Sequence, residues 1–306
     1  MPQNDSAMPV VAIVGTYQVG KSTLMNCLLA DSVAHMGDGN PTTHVVSRFR
    51  YGNDEIARLF HDNSDTPLKM DLPEYRKHDG TSKNAFKELD RVEFVMNREC
   101  LRHAVVMDTP GLDARGEEGS KDTLQTMAVL DDPQNPVDFV LVVLPERLSA
   151  PSEEVIRKVA SLHSPFAVIM NCMEHRDPGA CTKARDEIEA HMRNLGVSPV
   201  PIAEGRTVWP CNLAWYLWSK VEAQGKTRFS DLLEQWDRGI NGSFEDQGLS
   251  MPSKPQIAAM SRVEPVLDFF RGGGMAFAPL RAHVDLSRAF DTWRQERHEL
   301  ALEASA

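Results

Sequence analysis

Eight residues near the start of the chain have the types and spacing of a loop that wraps a phosphate group. Glycines at the first and sixth positions permit the tight turn that aims successive backbone N–H groups at one anion. A following lysine can reach the outer phosphates of a nucleotide, and a serine hydroxyl can ligate Mg²⁺. The residues are Gly15, Thr16, Tyr17, Gln18, Val19, Gly20, Lys21 and Ser22.

This loop needs a strand before it and a helix after it. The run from Val10 to Val14 is β-branched and ends at Gly15, which predicts a buried strand. Residues 23–30 have the composition of a helix, and its N-terminus adds partial positive charge beside the loop. We therefore expect Thr23, at the start of that helix, to lie among the phosphate-contacting residues.

A second motif, Asp108-Thr109-Pro110-Gly111, follows the apolar residues 103–107. An aspartate at the carboxyl end of a strand can hold Mg²⁺ through water, and the N–H of Gly111 can meet a γ-phosphate. On its own this pattern is usually a turn. Its position two strands beyond the first loop predicts a nucleotide site built from both motifs.

A loop threonine between the first helix and the second strand is a candidate for closing over the nucleotide. Residues 31–40 are polar, and Val45 to Tyr51 alternate as a strand does. Thr43 is the predicted third ligand of Mg²⁺, released after hydrolysis. The alternative is that Thr42 and Thr43 merely begin the strand.

Side chains after two later strands are predicted to face the base. The Asn171 amide and the Glu174 carboxylate follow one apolar strand, and Cys211 and Asn212 end the last one. A carboxylate that accepts two N–H donors selects guanine over adenine. The order of strands and helices predicts an α/β fold with a doubly wound, mostly parallel sheet. Residues 54–90 are expected to form short surface helices.

Composition excludes several classes of partner. The chain has 306 residues, 42% of them hydrophobic, and a net charge of −11, which argues against nucleic acid as a partner. No apolar run approaches the roughly 20 residues that cross a bilayer. Five scattered cysteines without a C-x-x-C pair or a secretory leader predict a reduced, cytoplasmic protein without a zinc site.

Taken together, the motifs resemble the GTPase domain of the dynamin superfamily, especially bacterial dynamin-like proteins, over about residues 8–215. The neighbourhood of the phosphate loop is also similar to guanylate-binding proteins. The resemblance implies a P-loop GTPase (G domain) that uses GTP, GDP and Mg²⁺. It also implies a homodimer through the nucleotide face, or a protein partner. The resemblance rests on four segments: the loop ending in Ser22, residues 40–43 with 50–52, residues 108–112 and residues 148–153.

Two motifs depart from that family pattern. Dynamins have a catalytic glutamine and serine at the third and fourth loop positions, where this chain has Tyr17 and Gln18. Gln18 is the predicted water-positioning residue, acting with Lys21 and Thr43. The family's N-K-x-D motif is here Asn171-Cys172-Met173-Glu174, so either Glu174 or Asp177 is expected to read the base.

The C-terminal third is too short for a dynamin stalk. We expect a G domain over residues 1–240, then a linker and C-terminal helices over 241–306, including a final helix over 282–302. The apolar stripe of that last helix packs on the G domain or on a partner, and its mixed polar face does not support membrane contact. Three functions stay open: a GTPase, a nearly inactive nucleotide switch or scaffold, and a P-loop protein that uses ATP.

Overall fold

The computed structural model describes residues 8–34, 45–61, 64, 66–77, 89–112, 121–132, 137–162, 164–172, 178–222, 228–246 and 248–271. The described strands are β1 Val10–Val14, β2 Val46–Tyr51, β3 Ile56–His61, β4 Leu68–Asp71, β5 Leu89–Met96, β6 Val105–Asp108, β7 Phe139–Pro145, β8 Phe166–Asn171 and β9 Val208–Cys211. The described helices are α1 Lys21–Leu29, α2 Leu72–Lys77, α3 Lys121–Leu130, α4 Ala150–Ser161, α5 Pro178–Asn194, α6 Leu213–Lys220, α7 Arg228–Glu245, α8 Lys254–Met260 and α9 Glu264–Arg271.

The described strands form one sheet in the order β4-β3-β5-β2-β6-β1-β7-β8-β9. β1 lies in the middle and is parallel to both β6 and β7, and β7, β8 and β9 continue in parallel. The strands from β2 to β6 lie on one side of β1 in the sheet, and β7 to β9 lie on the other. This reversal of strand order next to β1 creates a crevice at the carboxyl ends of the central strands. The predicted mostly parallel α/β sheet is confirmed.

Helices cover both faces of the sheet because the central strands are apolar on both sides. In β1, Val11 and Ile13 belong to the core that includes α1, α6 and α9. Ala12 and Val14 belong to the opposite core, which includes α4 and α5. Alternate side chains of a strand point to opposite faces, so a continuous β-branched run can serve two helical layers at once.

The expectation of surface helices over residues 54–90 is wrong for β3 and β4, which extend the sheet with antiparallel pairings. The charges that suggested a solvated helix pair across strands instead, since Arg58 donates to Glu93 at 2.8 Å. β5 and β6 follow each other in the chain but are not neighbours in the sheet, because β2 lies between them and runs antiparallel to β6.

The C-terminal helices continue the core on the α1 face. α7 extends to Glu245, so it continues into the region 241–306 that was predicted to hold a linker and C-terminal helices. α8 and α9 are separate helices, and Pro265 stands in the first turn of α9, where its missing N–H costs no helical bond. The Trp209 indole donates to the Arg262 carbonyl at 2.8 Å, and Phe269 contacts Phe139.

Two further predictions concern the last helix and the division of the chain. The helix predicted over 282–302 lies outside the described residues, and the division of the chain at residue 240 stays a prediction. Among the described residues, none of the helices combines the length and the apolar character that crossing a membrane requires.

Candidate nucleotide-binding site

The predicted phosphate loop leaves the carboxyl end of β1 and is closely packed at both of its glycines. A Cβ at Gly15 would lie 2.5 Å from the Val143 carbonyl oxygen, and one at Gly20 would lie 2.5 Å from Nδ2 of Asn171. Gly20 also has a φ of 99° and is the N-cap of α1. Only glycine fits these two positions, because neither leaves room for a side chain.

The second motif lies directly against this loop. Gly111 stands so close that an added Cβ would lie 2.9 Å from the Cα of Tyr17 and 3.3 Å from Nζ of Lys21. Leu112 donates its N–H to the carbonyl of Gly15 at 3.2 Å. The structure therefore brings together the two motifs that the sequence separates by more than 80 residues.

Lys21 is buried against the phosphate loop, whereas Gln18 is exposed. The Lys21 side chain is largely buried, and its ammonium donates to the Thr16 carbonyl at 2.9 Å. Gln18 is exposed at the tip of the loop and has a φ of 60°. A non-glycine residue in this left-handed region is uncommon, and such conformations cluster at functional sites.

Asp108 and Ser22 form a buried pair below the loop. The Ser22 hydroxyl donates to Oδ2 of Asp108 at 2.7 Å, and the carboxyl group is 1% exposed. Burial raises the pKa of Asp108 to about 6, although the Ser22 hydrogen bond and the Lys21 charge both oppose the rise. The carboxylate is thus costly to ionise unless a further positive charge is present.

A hard cation fits this pair. Oδ1 of Asp108 is buried and has no hydrogen-bond partner within the described part of the chain. A carboxylate with one unsatisfied oxygen beside a serine hydroxyl supplies the oxygen donors that Mg²⁺ prefers. Ser22 and Asp108, both predicted from the sequence, are the residues that would hold it.

Two threonines that the sequence did not single out fix the second motif. Thr109 is fully buried and donates its hydroxyl to the Ile13 carbonyl in β1 at 2.9 Å. Thr126 in α3 is also fully buried and donates to the Pro110 carbonyl at 2.9 Å. These bonds hold the segment before Gly111 from both sides. Only the position of Thr109 inside its motif could have signalled such a role.

Asn171, at the end of β8, joins the phosphate loop to the start of α6. Its Nδ2 donates to the Val19 carbonyl at 3.0 Å, and its Oδ1 accepts from the N–H of Leu213 at 3.3 Å. The side chain is 4% exposed. In this structure Asn171 therefore braces the phosphate loop against the start of α6.

The other predicted base contacts have mixed positions. Asn212 is the N-cap of α6, and its side-chain oxygen accepts from the Trp215 N–H at 3.0 Å. Cys211 is buried in β9, and burial raises the pKa of its thiol well above the ordinary value. Cys172 is likewise buried, and its N–H donates to the Cys211 carbonyl at 2.7 Å. A base contact at Cys211 and Asn212 stays a prediction.

Three predicted site residues, Thr43, Glu174 and Asp177, lie outside the described residues. The chain that leads from α1 toward Thr43 is held by hydrogen bonds as far as Ala34. The Asn26 amide donates to the Ala34 carbonyl and accepts from its N–H, both at 2.8 Å. Thr23 is half-buried in the first turn of α1, next to Ser22.

The fold and these contacts define a P-loop nucleotide-binding protein. A family model described as "Dynamin family" matches residues 11–172, which is more than half of the chain. This chain therefore belongs to the dynamin family, whose GTPase domain is the predicted fold.

This chain is also similar to curated proteins and to solved structures. The isoniazid-induced protein IniC of Mycobacterium tuberculosis is 28% identical over 156 residues, which is 50% of this chain and 30% of IniC. This chain thus matches less than a third of the length of that relative. A solved oligomerised bacterial dynamin pair has a TM-score of 0.50 at 12% identity, covering 98% of this chain and 55% of that one. Era bound to MgGDPNP and 16S ribosomal RNA has a TM-score of 0.40 at 16% identity, covering 75% and 56%.

Proposed function

We propose that this chain binds GTP with Mg²⁺ and hydrolyses it to GDP and phosphate. The observation that carries the proposal is the meeting of Lys21, the Ser22–Asp108 pair and Gly111 at the carboxyl ends of β1 and β6. Each part of a phosphoryl-transfer site is represented there: backbone donors, a lysine, and oxygen ligands for a metal. Membership in the dynamin family supports GTP as the nucleotide.

Each residue has a distinct role in this proposal. The N–H groups of the loop and of α1, including that of Thr23, bind the phosphates, and the Lys21 ammonium moves from the Thr16 carbonyl to the β- and γ-phosphates. When bound, Mg²⁺ neutralises the charge that develops on the phosphate oxygens. Gln18 orients the attacking water from the exposed tip of the loop.

Selection of GTP over ATP is proposed to come from the chain that follows β8. Glu174 or Asp177 accepts the two N–H donors of guanine, while Asn171 keeps the phosphate loop in register through Val19. The opposite specificity, use of ATP, predicts similar affinities for the two nucleotides.

Thr43 and Gly111 are proposed as nucleotide-dependent switches. In the GTP state both contact the γ-phosphate, and loss of that phosphate releases them. Dimerisation across the nucleotide face fits the assembly of the oligomerised bacterial dynamin pair, which shares the fold alone with this chain.

A catalytically weak switch that docks a protein partner is the second candidate. The observation that favours it is the chain's pair of departures from the dynamin pattern, Gln18 in the loop and the buried Cys172 after β8. Such a protein would hold GTP tightly and hydrolyse it very slowly.

Equilibrium binding of fluorescent GTP with Mg²⁺, with unlabelled ATP as competitor, tests the nucleotide site. We expect saturable binding that GTP displaces far better than ATP and that Lys21→Ala weakens by at least about a hundredfold. Lys183→Ala is the matched control, because this α5 lysine has a side chain 81% exposed. Equal displacement by both nucleotides, or unchanged binding by Lys21→Ala, would contradict the proposal.

A further inference from the structure

Three potential metal ligands converge beside the nucleotide site, and the proposed GTPase mechanism uses none of them. An oxygen of Glu146 and the sulfur atoms of Cys172 and Cys181 all lie within 4.8 Å of one another. The lack of a C-x-x-C pair predicted no zinc site. The sequence offered no sign of this cluster, because the two cysteines are nine positions apart and the glutamate is distant from both.

The topology explains why these groups meet. β7 and β8 are parallel, and Pro145 at the end of β7 pairs with Asn171 at the end of β8. Glu146 and Cys172 are the next residue after each strand, so they leave the same edge of the sheet side by side. Cys181 approaches them from the first turns of α5.

The cluster is enclosed, as a specific cation site should be. Glu146 is 7% exposed and Cys172 is 5% exposed, while Cys181 is half-buried. Burial of a carboxylate next to two polarisable sulfur atoms is an environment in which a bound cation gains strong electrostatic stabilisation.

We propose that Glu146, Cys172 and Cys181 bind a thiophilic divalent cation, with zinc as the fitting ion. Thiolates favour zinc over Mg²⁺, so this site differs in chemistry from the oxygen donors of Ser22 and Asp108. Zinc takes sulfur ligands at about 2.3 Å in a tetrahedron, which sets its ligand atoms about 3.8 Å apart. A sulfur and a carboxylate oxygen on the same zinc are about 3.5 Å apart, so the cluster needs to contract by about 1.3 Å at most.

The proton and charge balance is simple. Each thiol releases its proton to solvent as its sulfur bonds to the metal, and the glutamate binds as a carboxylate. The two thiolates, the carboxylate and the dication together carry one negative charge. Three protein ligands leave the fourth position for a water molecule.

Zinc at this position would act on the segment between the two cysteines. Residues 173–180 contain Glu174 and Asp177, the predicted readers of guanine, so the metal would join the two ends of the base-reading segment. This consequence rests on the proposed function, whereas metal binding itself does not. We expect zinc to change GTP affinity without affecting the phosphate contacts of Lys21.

The test is a cobalt titration of the full chain, reduced and kept anaerobic without nucleotide. We expect one equivalent of Co²⁺ to produce the charge-transfer absorption of cobalt thiolates, and one equivalent of Zn²⁺ to abolish it. Cys172→Ser and Cys181→Ser should remove the absorption, and Glu146→Gln should weaken binding by about tenfold or more. Cys100→Ser is the matched control, because Cys100 is also buried but lies in the short 3-10 helix Glu99–Leu101, outside the cluster.

Several outcomes would overturn the site. They are no thiolate absorption in the reduced protein, absorption that survives Cys181→Ser, or equal loss in Cys100→Ser. A mass two hydrogens lower, with no cobalt absorption, would show that Cys172 and Cys181 form a disulfide instead. Because no nucleotide is present, these results are independent of whether the chain binds GTP.

Discussion

Gly20 is the residue at which the phosphate loop, α1 and the end of β8 meet. Its φ is 99°, and a Cβ there would lie 2.5 Å from the Asn171 amide nitrogen. That amide in turn donates to the Val19 carbonyl. A side chain at position 20 would therefore push away the residue that braces the loop.

Gly20→Ala is expected to destabilise the chain by about 3 kcal/mol or more, since backbone strain and a steric clash act together. Gly196→Ala separates the two effects, because Gly196 has a φ of 70° but no atom within 4 Å of an added Cβ. That control should lose only about 1 kcal/mol. Urea unfolding measures both values, and equal losses would contradict the close contact with Asn171.

Asp108 gives the folded protein a specific dependence on pH. Its folded pKa of about 6 lies above the ordinary 3.8, so protonation favours the folded state. The resulting stabilisation is complete below about pH 4 and is lost as the pH rises through about 6.

In EDTA, wild type should therefore lose about 3 kcal/mol relative to Asp108→Asn between pH 4 and pH 7. Urea unfolding at a series of pH values measures the difference. Asp268→Asn, whose side chain is 72% exposed, should show no such trend. A wild-type curve parallel to that of Asp108→Asn would mean that burial does not raise the pKa of Asp108.

At the scale of elements, α8 and α9 behave as part of the core that surrounds α1. Phe269 is 6% exposed, and its ring centroid lies 5.3 Å from that of Phe139 in β7. The N–H of Asn212, at the start of α6, donates to the Ser261 carbonyl at 2.8 Å. These helices therefore support the elements that follow β9 at the nucleotide edge.

Phe269→Ala is expected to reduce the stability of the whole chain by about 3 kcal/mol, because it leaves a cavity between α9 and the sheet. Unfolding should remain a single transition by tryptophan fluorescence and circular dichroism. Met260→Ala in α8, where the side chain is 50% exposed, should change stability by less than about 0.5 kcal/mol. Separate unfolding of α9 at low denaturant would contradict this account.

The elements that carry strong periodic or motif signals were predictable from the sequence. The β-branched run of β1 and the motif ending in Gly111 gave the strand–loop–helix order and the edge of the sheet where the site lies. β3 was missed because a charged residue such as Arg58 suggests a solvent-exposed segment when the sequence is read alone. Its partner Glu93 lies on the neighbouring strand β5, and only the folded structure brings the two together.

The contacts between side chains and distant backbone groups could not be predicted. The bond from Asn171 to Val19 joins residues 152 positions apart, and that from Thr126 to Pro110 depends on where α3 packs. The cluster of Glu146, Cys172 and Cys181 depends on the register of β7 with β8 and on where α5 packs. Local patterns predict which residue types reach the edge, whereas tertiary packing decides which of them touch.

At the scale of the whole molecule, the central claim is that one chain of the dynamin family turns over GTP at this site. Family membership covers residues 11–172, and the chain matches 30% of the length of IniC. If dimers form across the nucleotide face, activity per molecule must rise with protein concentration, because each site is completed by association.

The most direct measurement is multiple-turnover phosphate release from GTP and from ATP with Mg²⁺, over a range of protein concentrations. We predict GTP-selective turnover whose specific activity rises with concentration, is abolished by Lys21→Ala and falls about a hundredfold in Gln18→Ala. Release no faster than that of Lys21→Ala, at every concentration, would contradict the claim. Tight GTP binding without turnover would identify the switch instead.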